Sequence, residues 1–154
     1  MRFMSRRRLP LLPLLLAVVA FKKFLILTNS AYAGQKLFRW GLEAEALTFK
    51  QHLFLTLSLI MYILFSPVQE LIFRGFIQTS WQRFSSGRHR TLVSILVTSI
   101  LYLNVHFYWS ASFIVLIPSF LWGWLFARQR TLIGVSMGHM LLGIWVIWIV
   151  GIQF

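Results

Sequence analysis

The sequence predicts an all-α fold, a polytopic membrane bundle of about five transmembrane helices, and three observations carry that expectation. Of 154 residues, 58% are hydrophobic and only 12% charged, where a soluble domain carries about a quarter charged residues. The apolar residues gather into runs approaching the roughly 20 residues that a helix needs to span a bilayer. The charges fall in short groups between those runs, with 15 basic residues against three acidic ones and a net charge of +12. That surplus sits at the ends of apolar segments, so anionic lipid headgroups account for it and nucleic acid does not. The bilayer is therefore the first expected partner. Cysteine is absent, which excludes disulfides, thiolate zinc sites and a thiol nucleophile. No glycine-rich phosphate loop or internal repeat is present, and no cofactor is expected.

Taken in order, Arg2, Arg6, Arg7 and Arg8 precede an apolar run from Leu9 to Phe21. This has the outline of a signal peptide with Ala31-Tyr32-Ala33 as its cleavage site. Lys22, Lys23 and a second apolar stretch intervene, however, so an uncleaved first helix from about Leu9 to Thr28 fits better. Its two lysines are expected to snorkel toward the far interface. From Asn29 to Gln51, Leu37, Phe38, Trp40 and Leu42 interleave with Lys36, Arg39, Lys50, Glu43 and Glu45, the composition of a short interfacial helix. Residues 1–52 thus read as an anchor with an interfacial segment, and 53–154 as a four-helix membrane core.

The core opens with an uncharged run from Leu53 that passes through Pro67. A proline inside a helix removes one hydrogen bond and bends the rod. Apolar character persists to Trp81, and Ser85-Ser86-Gly87-Arg88-His89-Arg90 then reads as a turn. Three further spans follow, about Leu92 to Tyr108, Phe113 to Ala127 and Leu132 to Ile152, divided by uncharged Trp109-Ser110-Ala111-Ser112 and by Arg128-Gln129-Arg130. Basic connections alternate with uncharged ones, which places the N-terminus in the cytoplasm and the C-terminus outside.

The chain is organised around Ser66-Pro67-Val68-Gln69-Glu70-Leu71-Ile72-Phe73-Arg74-Gly75. Glu70 and Arg74 are four apart and share a helix face, and a carboxylate within the membrane is a functional candidate because its burial is costly. Glu70 lies 17 residues before Gly87 and His106 lies 19 after it, while His139 lies 10 beyond Gln129. At about 1.5 Å per residue, all three reach one depth if the hairpin at Gly87 projects about two turns beyond the membrane. One carboxylate, one arginine and two histidines from three helices are therefore expected to converge. Glu43 and Glu45, two apart, do not share a face and read as solvated. Each histidine also has a plain reading as a packing residue, and Asn104 as a bond to a neighbouring helix.

These residues resemble a known family, the CPBP intramembrane proteases, which include the CAAX prenyl-protein processing endopeptidases and the bacteriocin-related Abi proteins. The family pattern is Glu-Glu-x-x-x-Arg, then Phe-x-x-x-His, then His-x-x-x-Asn. Here it reads Gln69-Glu70-Leu71-Ile72-Phe73-Arg74, Tyr102-Leu103-Asn104-Val105-His106 and His139-Met140-Leu141-Leu142-Gly143. The resemblance covers about Leu53 to Ile149. It implies an intramembrane endopeptidase of a bacterial plasma (inner) membrane acting on a membrane-anchored protein or peptide. Glu70, His106, His139 and the Gln69 position would be catalytic, with Arg74, Tyr102, Asn104 and Gly143 in support. In the family the first glutamate is regarded as the general base and the asparagine as an oxyanion donor. Gln69 and Gly143 replace them here, and glutamine cannot hold a proton as a carboxylate does. Two readings stay open: a hydrolase, or a pseudoprotease whose fold serves as a scaffold or immunity-type protein for a membrane partner. Glu70, His106 and His139 could also form a zinc triad, but Arg74 competes for Glu70 and no His-Glu-x-x-His pair is present, so no metal is expected. A small transporter fits least, for want of a repeat.

Overall fold

A computed structural model describes residues 11–38, 48–104 and 109–152, with backbone alone at 109–114. The chain is all-α, and among the described residues there is no strand. The described residues within Met1–Ala46 and Leu142–Ile152 form one compact unit and those within Leu47–Leu141 another.

The first unit contains α1 (Leu11–Thr28), a single 3-10 turn at Ser30–Tyr32 capped by Asn29, and a π-helical stretch, Trp145–Val150, that Gly151 terminates at φ 69°. A glycine pays no Cβ penalty in that left-handed conformation. The Trp145 indole donates to the Leu15 carbonyl at 3.1 Å, and its ring meets Phe38 edge-on. Lys22 overturns one expectation. It does not snorkel: it is fully buried, and its ammonium donates to the Val150 carbonyl. A helix C-terminus offers unpaired carbonyls and a partial negative charge, so the cation is held inward. The interfacial helix expected before Gln51 falls largely on residues 39–47, which lie outside the described residues, as do Arg2, Arg6, Arg7, Arg8, Glu43 and Glu45.

The second unit opens with α2 (Phe49–Glu70), started by a capping box between Thr48 and Gln51. The helix begins four residues ahead of Leu53 because that box satisfies its first amides. It continues as a π-helical stretch (Leu71–Gln78) and then as α3 (Thr79–Phe84). Pro67, which cannot donate, lies inside α2, and the Leu71 amide reaches both the Pro67 and Val68 carbonyls. Beyond that bifurcated bond the turns widen and bond i to i+5. After the turn at Gly87, where φ is 100°, come α4 (Arg90–Leu103), α5 (Trp109–Gln129) and α6 (Leu132–Ile144). The expected turn at Arg128-Gln129-Arg130 is present, with Arg130 at φ 54° and the Arg128 guanidinium 4.0 Å over the Trp124 ring.

Among the described residues, three helical rods are long and apolar enough to cross a membrane: Leu11–Thr28, Phe49–Phe84 and Leu132–Val150. The Phe49–Phe84 rod has 36 residues, well beyond the roughly 20 a bilayer core requires, so it tilts or projects. Burial in the second unit is inverted relative to a soluble protein. Leu64, Phe65, Leu71, Ile72 and Phe76 face outward, whereas Ser66, Glu70, Arg74, Gln78, Thr98 and Ser119 are enclosed. Lipid makes that arrangement stable, because apolar side chains gain nothing by leaving hydrocarbon while polar ones gain partners inside.

Candidate active site

The π stretch begins directly after Glu70, and this sets the direction of everything on its face. Along an α-helix, positions four apart drift steadily around the axis, about 3.6 residues making a turn. Turns bonded i to i+5 hold an extra residue and offset that drift. Glu70 and Arg74 therefore both point inward and are both fully buried. The Arg74 Nε donates to Glu70 Oε2 at 3.2 Å, as the i,i+4 spacing led one to expect. Its Nη2 reaches across to α5, donating to the Ser119 carbonyl at 2.8 Å and to the Ser119 hydroxyl at 2.7 Å.

The other carboxylate oxygen, Glu70 Oε1, lies 2.8 Å from His139 Nδ1. Glu70 therefore joins Arg74 on its own helix to His139 on α6. With the carboxylate charged, Nδ1 is the donor, and the imidazole keeps its lone pair on Nε2. The His139 side chain is 13% exposed while Glu70 and Arg74 are at 0%, so the histidine is the member of the chain that faces an approaching molecule. Two further contacts fix it. Tyr62 of α2 donates to the His139 carbonyl at 3.2 Å, and Trp122 of α5 lies against Gly138, where a Cβ would stand 3.0 Å from the indole. A side chain there would have to push the indole back, so the glycine lets α6 approach α5 closely just before the histidine.

Tyr102, on the buried face of α4, stands over this group. Its hydroxyl is 3.2 Å from His139 Nε2, 3.4 Å from Nδ1 and 3.5 Å from Gln69 Oε1. A phenol has one proton to give, and with Nδ1–H committed to Glu70 the nearer Nε2 takes it. Gln69 Oε1, the more distant acceptor, competes for the same proton, whereas Glu70 contacts the histidine directly. The buried Glu70–Arg74 pair sets the helix rotation that turns Glu70 toward His139.

Asn104 stands apart from the group, donating to the Ile100 carbonyl of its own helix at 3.2 Å and exposed. Gly143 follows His139 by one turn of α6 and has no side chain to donate. His106 lies outside the described residues. The zinc alternative needs it, and both oxygens of the remaining acidic ligand are engaged by Arg74 and His139. Sequence reasoning missed Ser119 and Tyr62. Both are polar-tipped residues inside apolar spans, and that was the signal available.

A family model described as type II CAAX prenyl endopeptidase Rce1-like matches residues 51–145, more than half of the chain and all of the helices that build this group. No curated protein and no solved structure matches the chain significantly.

Proposed function

The chain belongs to the Rce1-like family of type II CAAX prenyl endopeptidases, and on that premise we propose that it is an intramembrane endopeptidase. Its substrate would be a membrane-anchored, prenylated peptide or protein, and its base His139 oriented by Glu70. The observation that carries this reading is the 2.8 Å contact between Glu70 Oε1 and His139 Nδ1, clamped from behind by Arg74. A carboxylate on Nδ1 holds the imidazole in the tautomer whose Nε2 can take a proton and stabilises the imidazolium that results. Once an incoming water takes the place of the Tyr102 hydroxyl on Nε2, Nε2 removes a proton from that water as the oxygen attacks the scissile carbonyl, and returns it to the leaving amine. General-base catalysis of this kind is worth about 10² to 10⁴ in rate. Tyr102 supplies a hydroxyl donor where the family pattern has phenylalanine. Freed from Nε2, that donor would serve the developing oxyanion, a role the asparagine missing at Gly143 would otherwise fill.

A non-catalytic scaffold binding a membrane partner is the second reading, and Gln69 favours it, since an amide at the family's general-base position cannot hold a proton. Then the Glu70–Arg74–His139 chain would serve only to hold α2, α5 and α6 together. Cleavage of a fluorescent prenylated peptide in proteoliposomes separates the two. The endopeptidase reading expects cleavage by the native chain and none by His139→Ala. A native chain that binds the peptide and leaves it intact would establish the scaffold.

A further inference from the structure

Glu70, Arg74, Gln78 and Gln82 recur every four residues along one rod, and their exposures are 0%, 0%, 0% and 7%. The first two form the site; the last two lie beyond it. The Gln78 amide donates to the Gly123 carbonyl of α5 at 2.9 Å, which leaves its oxygen over. Among the described residues, Arg74 Nη1, Gln78 Oε1, both amide atoms of Gln82 and Ser99 Oγ are buried without a hydrogen-bond partner. Arg74 and Gln78 face α5, to which both are bonded, Gln82 continues their period one turn on, and Ser99 lies on α4, which packs against this rod and against α5.

Buried polar atoms in folded proteins are almost always paired, with protein or with ordered water. Five exceptions on one seam, in surroundings of hydrocarbon, are therefore a pattern. Their chemistry is also complementary. Arg74 Nη1 can only donate, Gln78 Oε1 can only accept, and the Gln82 amide and the Ser99 hydroxyl can do both. Gly123 shows how two of them stand. Its Cβ position is 3.1 Å from Arg74 Nη1 and 3.1 Å from Gln78 Oε1, so the two atoms are at most twice that distance apart. They are not bonded to each other, and a water between them would pair both. A side chain at this glycine would crowd both atoms and Ile95 Cγ2.

We propose that this seam binds a file of ordered water molecules, running from Gln82 near the basic turn at Gly87, past Gln78 and Ser99, to Arg74 beside Glu70. The file solvates the inner face of the buried ion pair. If the chain is the endopeptidase proposed above, the file is also the store from which hydrolytic water reaches a site enclosed by lipid. Its occupancy does not depend on that activity.

Ile95 of α4 is 2% exposed, and its Cγ2 stands 3.0 Å from the same Gly123 Cβ position. A short pulse of X-ray radiolysis in H₂¹⁸O generates hydroxyl radicals from bound water, so ¹⁸O should appear on Ile95 in the native chain, read by mass spectrometry. The label should be lost in Gln78→Met, which keeps the bulk and removes the acceptor, or in Gly123→Ala, which fills the space. An unlabelled Ile95 in the native protein would overturn the proposal even if neither variant folds. So would a label that persists undiminished in both variants.

Discussion

Replacing Arg74 by alanine probes the buried ion pair on which the site is built. The guanidinium makes one bond to Glu70 and two to Ser119, all with no solvent exposure on the arginine. Its removal leaves the Glu70 carboxylate with His139 alone and strips the Ser119 carbonyl of its arginine donor. Breaking a buried pair by deleting one partner costs about 3–5 kcal/mol. For a chain of this size that corresponds to a fall in Tm on the order of 10 °C, at roughly 2–4 °C per kcal/mol. The measurement is thermal unfolding of the purified protein in detergent, by tryptophan fluorescence or by retained monomer on gel filtration. The double variant Arg74→Leu with Glu70→Gln should recover much of the loss, because it removes both charges and leaves neither stranded. A Tm unchanged in Arg74→Ala, or a double variant as unstable as the single one, would refute the claim that the pair is both buried and coupled.

Three further outcomes are expected. Tyr102→Phe, which restores the family residue and removes the hydroxyl near His139 Nε2, should lower the cleavage rate by about 10-fold or more with little change in Tm; unchanged turnover would remove Tyr102 from the mechanism. Lys22→Met should destabilise the chain by about 1–3 kcal/mol through the Val150 carbonyl it leaves unpaired, read as increased proteolysis after Trp145; a native cleavage pattern would count against it. In a chain without native cysteine, Gly87→Cys should react with an impermeant thiol reagent only from the cytoplasmic side, as the alternation of basic connections requires; labelling from outside would reverse the topology.

Much of this was legible in the sequence, for reasons of chain geometry. Glu70 and Arg74 announce themselves by spacing, and the turns at Gly87 and Arg128 set the helix depths from which the meeting of Glu70 with His139 follows. What was not legible depends on rotation and on distant chain. Whether Gln69 or Glu70 faces inward turns on about 100° of helix rotation, and that is set by the π stretch after Pro67 and by Ser119, 45 residues away from Arg74. Lys22 read as snorkelling because its partner, Val150, lies 128 residues further along. The polar column was half visible: Gln78 and Gln82 continue the period of Glu70 and Arg74 but carry no charge to draw notice.

The central claim is that Glu70 serves catalysis by orienting His139, and the most direct measurement is hydrolysis of a prenylated membrane peptide in H₂¹⁸O by native protein and by Glu70→Gln side by side. The account expects one ¹⁸O in the new carboxyl terminus of the native product. It also expects a rate lower by about 10³ to 10⁴ in Glu70→Gln, whose amide holds the imidazole in the wrong tautomer. Equal rates from the two proteins, or a product formed only after Gln69→Glu and Gly143→Asn are introduced, would contradict it.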